Sequence, residues 1–380
     1  MFIEIMGTEF ANKGAELMLY AALQKTREAF PKASFVMAPS SNVDYLRRAD
    51  LGLWQKAWLQ RYGVQWGRLG RLLPQQLRRR YGLIIDEEID VVFDASGFSY
   101  SDHWGEKPSV HMASYVKRWK KQKTKVILLP QAMGPFASPK IRKAFTYVVD
   151  NADLVFARDD VSYKHVSDLV GKRDNVIQAP DFTNLISGDL PRDPEKYRGR
   201  FCLVPNFRMI DKTPDQESGL YTAFCANCVK ALIKHGHKPF ILIHEGDKDG
   251  WLAGKIMEKV GEDIEVVREA NALKIKGILG LCAGVISSRF HGLVSALSQG
   301  VPALATGWSH KYEMLFREYG IPDGCLPVNI PCADLDKQIE RIVNEVAWKE
   351  IREKIILASA KYKEKSEEMW QRVFSVITNA

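Results

Sequence analysis

The sequence contains no apolar run long enough to cross a bilayer. It also lacks a basic leader with a small-residue cleavage site. Met1-Phe-Ile-Glu-Ile-Met6 runs straight into a glycine turn and a helical pattern, so the expectation is a cytoplasmic protein. Low-complexity tracts and repeats of roughly 20–50 residues are missing, which excludes solenoids and arrays. No Gly-x-Gly-x-x-Gly follows the first strand and no Gly-x-x-x-x-Gly-Lys-Ser/Thr occurs, which argues against a nicotinamide enzyme and a P-loop hydrolase. There is no His-Glu-x-x-His and no paired Cys–His set, so neither a metal nor a cofactor is expected. Asp247-Lys-Asp249 and Asp334-Leu-Asp336 match Asp-x-Asp only formally. Both open helical patterns, where a carboxylate is a cap. Cysteine is scarce and scattered. Cys225-Ala-Asn-Cys228 is a formal C-x-x-C inside a helical pattern and reads as reduced thiols on a helix face.

What is present is charge in one place. The chain carries a formal +8, and residues 47–81 account for all of it. They hold Arg47, Arg48, Lys56, Arg61, Arg68, Arg71, Arg78, Arg79 and Arg80 against the single acid Asp50. The rest is neutral and enzyme-like, so a nucleic-acid binder that is basic throughout is not indicated. Trp54, Trp58, Tyr62, Trp66 and Tyr81 lie among these cations. Leu51, Trp54 and Trp58 fall at helical spacing, as do Leu69, Leu72 and Leu73. Two readings of this basic aromatic helical insert at 41–82 stand side by side. One is contact with an anionic membrane surface; the other is a helical pair packed on the first domain. A nucleic-acid groove is a weaker third.

Outside the insert, strand and helix patterns alternate. Strands are expected at 2–6, 34–38, 89–93, 125–129, 153–156 and 175–178, with helices at 14–29, 108–121, 138–150 and 159–170. After a Pro- and charge-rich joint at 188–195 the alternation restarts. Strands are expected at 201–205, 239–243, 264–267, 284–287 and 302–305, with helices between them and a helical tail over 333–378. With 380 residues the chain is too long for one ordinary core. It reads as α/β: two doubly wound Rossmann-like domains facing a cleft, 1–190 and 191–345, and a tail at 346–380.

One stretch carries chemistry. Strand 284–287 ends in Ser287-Ser288, and a helix starts at about Arg289. A strand end feeding a helix start leaves free N–H groups and partial positive charge. Arg289 and His291 add donors there. Gly300-Val-Pro302 closes that helix, and Trp308-Ser-His310-Lys311 opens the next. The plain alternative is an ordinary βαβ unit with a salt-bridged arginine and a capping serine. Two basic groups two residues apart favour an anion site.

Ser287-Ser-Arg289-Phe290-His291, Gly300-Val-Pro302 and Lys311 together resemble the hallmark of the polysaccharide pyruvyl transferases. Asn12-Lys-Gly14-Ala-Glu16, Asp94-Ala-Ser-Gly97, Gln131-Ala-Met-Gly134-Pro135, Ala157-Arg158-Asp159 and Asp181 are family-like segments in the expected order. The resemblance implies the glycosyltransferase B (GT-B) architecture. It also implies transfer of pyruvate from phosphoenolpyruvate onto two hydroxyls of one sugar, as a ketal, with release of phosphate. The acceptor so implied is a surface or capsular polysaccharide precursor, on a lipid-linked oligosaccharide if the insert meets the inner face of the membrane. His291 and Arg289 are then catalytic. Arg208, Ser288, Arg289, Phe290, His291 and Lys311 bind the donor, and Asn12, Glu16, Asp94, Asp102 and His103 lie on the acceptor side. Asn12 also reads simply as a helix cap. The competing reading is a GT-B glycosyltransferase with a nucleotide-sugar donor. It is disfavoured because Ser295-Ala-Leu-Ser-Gln299 has no carboxylate to grip a ribose. A non-catalytic membrane scaffold is the third class, and the Arg–His pair argues against it.

Overall fold

A computed structural model describes residues 1–61 and 64–378 of the chain. They form two compact units. The first comprises Met1–Ala11, Met18–Phe182 and Lys365–Ala380, and the second Asn12–Leu17 and Thr183–Glu364. Tyr62 and the Arg61 side chain lie outside the described residues.

In the first unit the elements run β1 (Phe2–Met6), α1 (Lys13–Ala29), β2 (Ser34–Met37), α2 (Tyr45–Asp50), β3 (Trp54–Lys56), β4 (Gln60–Arg61) and β5 (Val64–Gln65). Then come α3 (Gln75–Arg80), β6 (Leu83–Ile84), β7 (Val91–Asp94), α4 (Glu106–Lys121), β8 (Lys125–Gln131), α5 (Pro139–Asn151), β9 (Leu154–Ala157), α6 (Asp160–Val170) and β10 (Val176–Gln178). Eight strands make one parallel sheet in the order β10-β9-β8-β7-β1-β2-β3-β6. Strands buried on both faces read as continuous apolar runs, which is why β7 and β9 were legible without alternation. The order reverses between β1 and β7.

The segment 41–82 departs from the expected helices. Gly52, at φ 66°, sits just past α2 and ends it, so the helical spacing of Leu51, Trp54 and Trp58 is interrupted. Trp54-Gln-Lys56 instead pairs with β2 as a sheet strand. Leu69 and Leu72 fall in a 3-10 helix, Trp66–Leu72, and Leu72 is 73% exposed, so this pair packs no core. The cations are also less free than composition suggested. Lys56 is 2% exposed, 2.6 Å from Glu4 and 2.8 Å from Asp86. Arg78 and Arg79 reach Glu88 at 3.0 and 3.5 Å. Arg79 also stacks over Phe2, 4.3 Å from its ring centre. Those acids lie outside the 47–81 window, so its charge balance overstated the exposed field.

In the second unit β11 (Phe201–Val204), α7 (Arg208–Asp211), α8 (Asp215–Lys234), β12 (Phe240–Ile243), α9 (Gly246–Val260), β13 (Val266–Arg268) and α10 (Ala272–Leu281) lead to β14 (Gly284–Ser287). After it come α11 (Phe290–Leu297), β15 (Ala303–Ala305), α12 (Lys311–Glu318), α13 (Cys332–Val343) and α14 (Glu345–Thr378). The sheet is five parallel strands, β13-β12-β11-β14-β15. Along β11, Cys202 and Val204 join a core with α10, α11 and α12, while Phe201 and Leu203 join a core with α8, α9 and α13. The period-2 alternation thus seals both faces. Burial pushes the Cys225 thiol of α8 up to about 12, and Cys228 is likewise pushed well up, so both are inert core groups.

The units divide at Phe182–Thr183, ahead of the expected joint near 190, because the intervening residues pack in the second unit. Lys276 Nζ donates to Thr183 O at 2.7 Å, and Gly188 approaches the Gly277 backbone too closely for any side chain. The expected helical tail is the single helix α14, which belongs to the second unit up to Glu364. From Lys365 onward α14 belongs to the first unit, where Trp370 lies 6.1 Å from Phe93 and 5.8 Å from Phe182, ring centre to ring centre.

Candidate active site

In the second unit the strand order reverses between β11 and β14, and ligands of such sheets bind beyond the carboxyl ends of the strands there. Val204 and Ser287 are the paired last residues of those two strands. The turn after β14 is fixed from several sides. Ser287 Oγ accepts from Arg289 N at 2.9 Å. Ser288 N donates to Val204 O at 3.1 Å. Ser288 O accepts from Asn206 Nδ2 at 2.7 Å and from the Tyr312 hydroxyl at 2.9 Å. The Tyr221 hydroxyl donates to Ser288 Oγ at 2.9 Å, so this serine, expected to bind the donor, has its hydroxyl tied into the scaffold. Arg289 is the N-cap of α11, with Phe290 and His291 as its first residues.

The guanidinium of Arg289 is not open to solvent. NH2 donates to Asp249 Oδ2 at 2.6 Å, and NH1 pairs with Glu245. Asp249 in turn accepts from Phe207 N at 3.0 Å and Glu245 N at 3.1 Å, which links the ends of β11 and β12 to the turn after β14. Burial works against the charge of Arg289, but Asp249 and Glu245 outweigh it and hold the group more firmly protonated than usual. Burial pushes the Asp249 carboxyl up, with Arg289 pulling against it. Asp249 lies in the first turn of α9 as expected, but the N-cap is Glu245, and the Asp249 carboxylate is spent on two backbone amides and the ion pair with Arg289. Glu245 is the more accessible partner, its side chain 26% exposed against none for Asp249.

His244 immediately follows β12. It is buried, its Nδ1 has no hydrogen-bond partner, and burial together with Arg289, His291 and Lys13 holds it well below the usual imidazole range. His291 meets the start of α1: a Cβ placed on Gly14 would lie 2.3 Å from His291 Nδ1. Only glycine lets that backbone reach the imidazole. Lys13 beside it donates to Glu16 Oε2 at 2.8 Å and to Ala270 O at 2.7 Å. Lys311, the first residue of α12, sits over the rings of Trp308 and Phe290 at 4.8 and 5.3 Å. Arg208 lies at the end of β11 as expected, but its guanidinium pairs with Asp211 at 2.7 Å on the surface.

The structure separates the residues expected on the acceptor side. Asn12 caps α1, accepting from Gly14 N at 2.9 Å, and Glu16 is fully buried on Lys13; both cluster with the second unit. Asp94 ends β7 in the first unit with no exposure. It accepts from Ser96 Oγ and N, from the Tyr100 hydroxyl at 2.8 Å and from Gln131 Nε2 at 3.1 Å. Asp102 caps the start of α5 through Ala137 N and Ser138 N at 2.6 and 3.0 Å. Asp94 is thus enclosed by its own partners, whereas Asp102 is half-buried with each oxygen on one backbone amide. His103 is exposed, 6.1 Å from the Phe98 ring. Arg158 and Asp181 form a buried pair at 3.3 Å. Sequence reasoning missed His244, Glu245 and Lys13 and gave Asp249 only a capping role. The available signal was position: His244-Glu245 directly follows an apolar strand on the ligand-facing edge. Among the described residues no three His, Cys, Asp or Glu side chains gather as a metal-ligand set.

A family model described as polysaccharide pyruvyl transferase matches residues 12–310. No curated protein matches the sequence. Among solved structures, a putative UDP-N-acetylglucosamine 2-epimerase from Listeria monocytogenes is similar at TM-score 0.63 and 13% identity, over 100% of this chain and 97% of that one. UDP-GlcNAc 2-epimerase from Neisseria meningitidis, bound to UDP-GlcNAc, gives 0.62 and 9%, over 99% and 100%. HepE from Anabaena, in complex with UDP-glucose, gives 0.60 and 14%, over 100% of both chains. At such identities the likeness shows the fold alone, which is GT-B.

Proposed function

From the premise that this chain belongs to the polysaccharide pyruvyl transferase family, we propose that it moves pyruvate from phosphoenolpyruvate onto two hydroxyls of one sugar in a surface or capsular polysaccharide precursor. The observation that carries this reading is the Arg289–His291 turn at the β11/β14 crevice, with Gly14 closed against the imidazole. A phosphate or carboxylate of the donor displaces Glu245 from Arg289, while the deeper Asp249 keeps the guanidinium aimed. Lys311 and the first N–H groups of α11 supply further positive potential. His291 as imidazolium gives its proton to the donor methylene carbon, which becomes the methyl group. One sugar hydroxyl adds to the resulting cationic carbon and yields its proton to His291. Phosphate leaves, the second hydroxyl closes the ketal, and the last proton departs with phosphate. The neutral His244 next to this cluster keeps a further cation out of the site.

Calorimetry with phosphoenolpyruvate tests the donor. Glu245→Gln removes the competing carboxylate and is expected to tighten donor binding about tenfold, one charge-assisted contact. His291→Asn is expected to keep binding and lower transfer by about 10²–10⁴-fold. A protein that binds nucleotide sugars and ignores phosphoenolpyruvate sinks this reading and leaves the glycosyltransferase alternative. That alternative lacks support in α11: Gln299, where a ribose-gripping carboxylate is wanted, donates to Lys276 O and Ser295 O, both at 2.7 Å.

Features of the first unit support a place for the reaction. No helix among the described residues is long and apolar enough to cross a membrane. Trp66, Leu69, Leu72 and Tyr81 are exposed beside exposed Arg68, Arg71 and Arg80. That combination supports peripheral binding to an anionic inner membrane face, where a lipid-linked oligosaccharide is the acceptor.

A further inference from the structure

The carboxyl ends of β1, β2 and β3 open into a cavity of about 260 Å³ in the first unit, which none of the residues considered so far as acceptor ligands lines. Met6 to Thr8, Met37 to Ser40 and Trp58 form its rim, and Tyr115 and Trp119 of α4 form a wall. At its base lies the buried network of Glu4, Lys56, Asp86 and Arg118. Lys56 bridges Glu4 and Asp86, and Arg118 pairs with Asp86. Lys56 Nζ is 5.0 Å from the Trp58 ring centre and 5.4 Å from that of Trp119. Trp58 and Tyr115 meet edge to face at 5.4 Å.

An ordinary core does not look like this. Glu4 interrupts an otherwise apolar strand, and burying ions costs several kcal/mol each. The two acids and two bases cancel, so the base of the cavity offers oriented donors and acceptors but no net charge. A phosphate or carboxylate ligand has no surplus cation to meet. Aromatic rings at the rim suit the apolar C–H face of a pyranose, whose hydroxyls suit the polar floor. A second observation is independent of the network. Thr8 lines the cavity at 7% exposure, and its hydroxyl is buried without a hydrogen-bond partner. Such a group is rare in a folded protein unless something else satisfies it.

We propose that this cavity is a subsite for a neutral pyranose ring of the acceptor saccharide, with Trp58 as stacking platform and Thr8 and the Glu4–Lys56 pair as hydrogen-bonding partners. It rests on the transferase reading above, and it assigns the 41–82 segment a part in acceptor recognition through Lys56 and Trp58.

Saturation-transfer NMR on the full chain with methyl glucosides, galactosides and mannosides is the test, run beside calorimetry with phosphoenolpyruvate. At least one neutral methyl pyranoside is expected to bind at millimolar concentration. Trp58→Ala should weaken it tenfold or more, and Trp58→Phe should restore most of the binding. Thr8→Val keeps the shape, loses the hydroxyl and should weaken binding about threefold or more, a hydrogen bond's worth. Donor affinity should be unchanged in all three. Absence of binding by every pyranoside overturns the proposal, as does equal binding by wild type, Trp58→Ala and Thr8→Val. Failure of donor binding with the pyranoside pattern intact removes the donor reading and leaves the subsite standing.

Discussion

The turn after β14 and the segment 41–82 both bring cations against carboxylates, and they differ in access. Arg289 shares its guanidinium between buried Asp249 and a Glu245 that still sees solvent. Lys56 is enclosed with Glu4, their side chains 2% and 3% exposed. On the proposed reading an anion trades places with Glu245, whereas Glu4 and Lys56 are closed off within the sheet. The same ion-pair chemistry thus has a solvent-facing partner in one unit and is fully enclosed in the other.

The largest effect that tests this contrast is on stability. Lys56→Met leaves Glu4 buried opposite an apolar chain and should cost about 3–5 kcal/mol, the penalty of an orphaned buried charge. Urea unfolding of the variant and of the double change with Glu4→Gln measures it, and the double change should recover most of the loss. A mild Lys56→Met would mean that the Glu4–Lys56 pair is not a fixed part of the sheet. Next is catalysis. Gly14→Ala raises helix propensity by about 1 kcal/mol, yet its methyl group would lie 2.3 Å from His291 Nδ1. Displacing that imidazole should lower kcat about a hundredfold with the fold intact. Normal turnover by the Gly14→Ala enzyme would detach His291 from the reaction.

The two regions were not equally legible in the sequence. The β14–α11 turn announced itself because strand, serine pair, arginine and histidine are contiguous, whereas the reversal of strand order that sets β11 beside β14 is not written in the alternation. The insert failed because its determinants are remote: Glu4, Asp86 and Glu88, which neutralise its cations, lie outside the window in which charge was counted. Gly52 ends α2 between Leu51 and Trp54, and apolar spacing by itself carries no mark of that break. Asp94 ends a strand and Asp102 stands in the polar loop after it, and that position is their mark in the sequence. That mark does not distinguish a carboxylate facing solvent from one closed by Tyr100 and Gln131 or by backbone amides.

The arginines of 41–82 sharpen the comparison further, because only some are free to meet a surface. Arg68, Arg71 and Arg80 are exposed, whereas Arg78 and Arg79 are committed to Glu88. Replacing the exposed three with Gln should reduce binding to phosphatidylserine vesicles on the order of a hundredfold at low salt, at about 1 kcal/mol per charge. The difference should shrink as salt rises. Sedimentation of the variants with vesicles gives the answer. Unchanged partitioning would confine the segment to its sheet and pocket roles.

The smallest effect lies in the pH dependence of stability. An unfolded histidine takes up a proton near pH 6.5, but folded His244 resists it because it is buried and faces Arg289, His291 and Lys13. Its folded value is depressed. The neutral form therefore contributes no penalty above the unfolded value, and stability falls as pH drops below about 6.5, by at most about 1.4 kcal/mol per pH unit. The fall continues until the folded value is reached. Asp249 acts in the opposite sense, since its carboxyl is pushed up and its protonation in acid favours the folded state. The quantity to measure is therefore the difference between wild type and His244→Gln, by urea unfolding from pH 8 to pH 5. Wild type should lose stability faster than the variant below pH 6.5, and the two curves should run parallel above it. Parallel curves throughout would show that His244 charges freely in the fold, and its enclosure by the Arg289 cluster would then not hold.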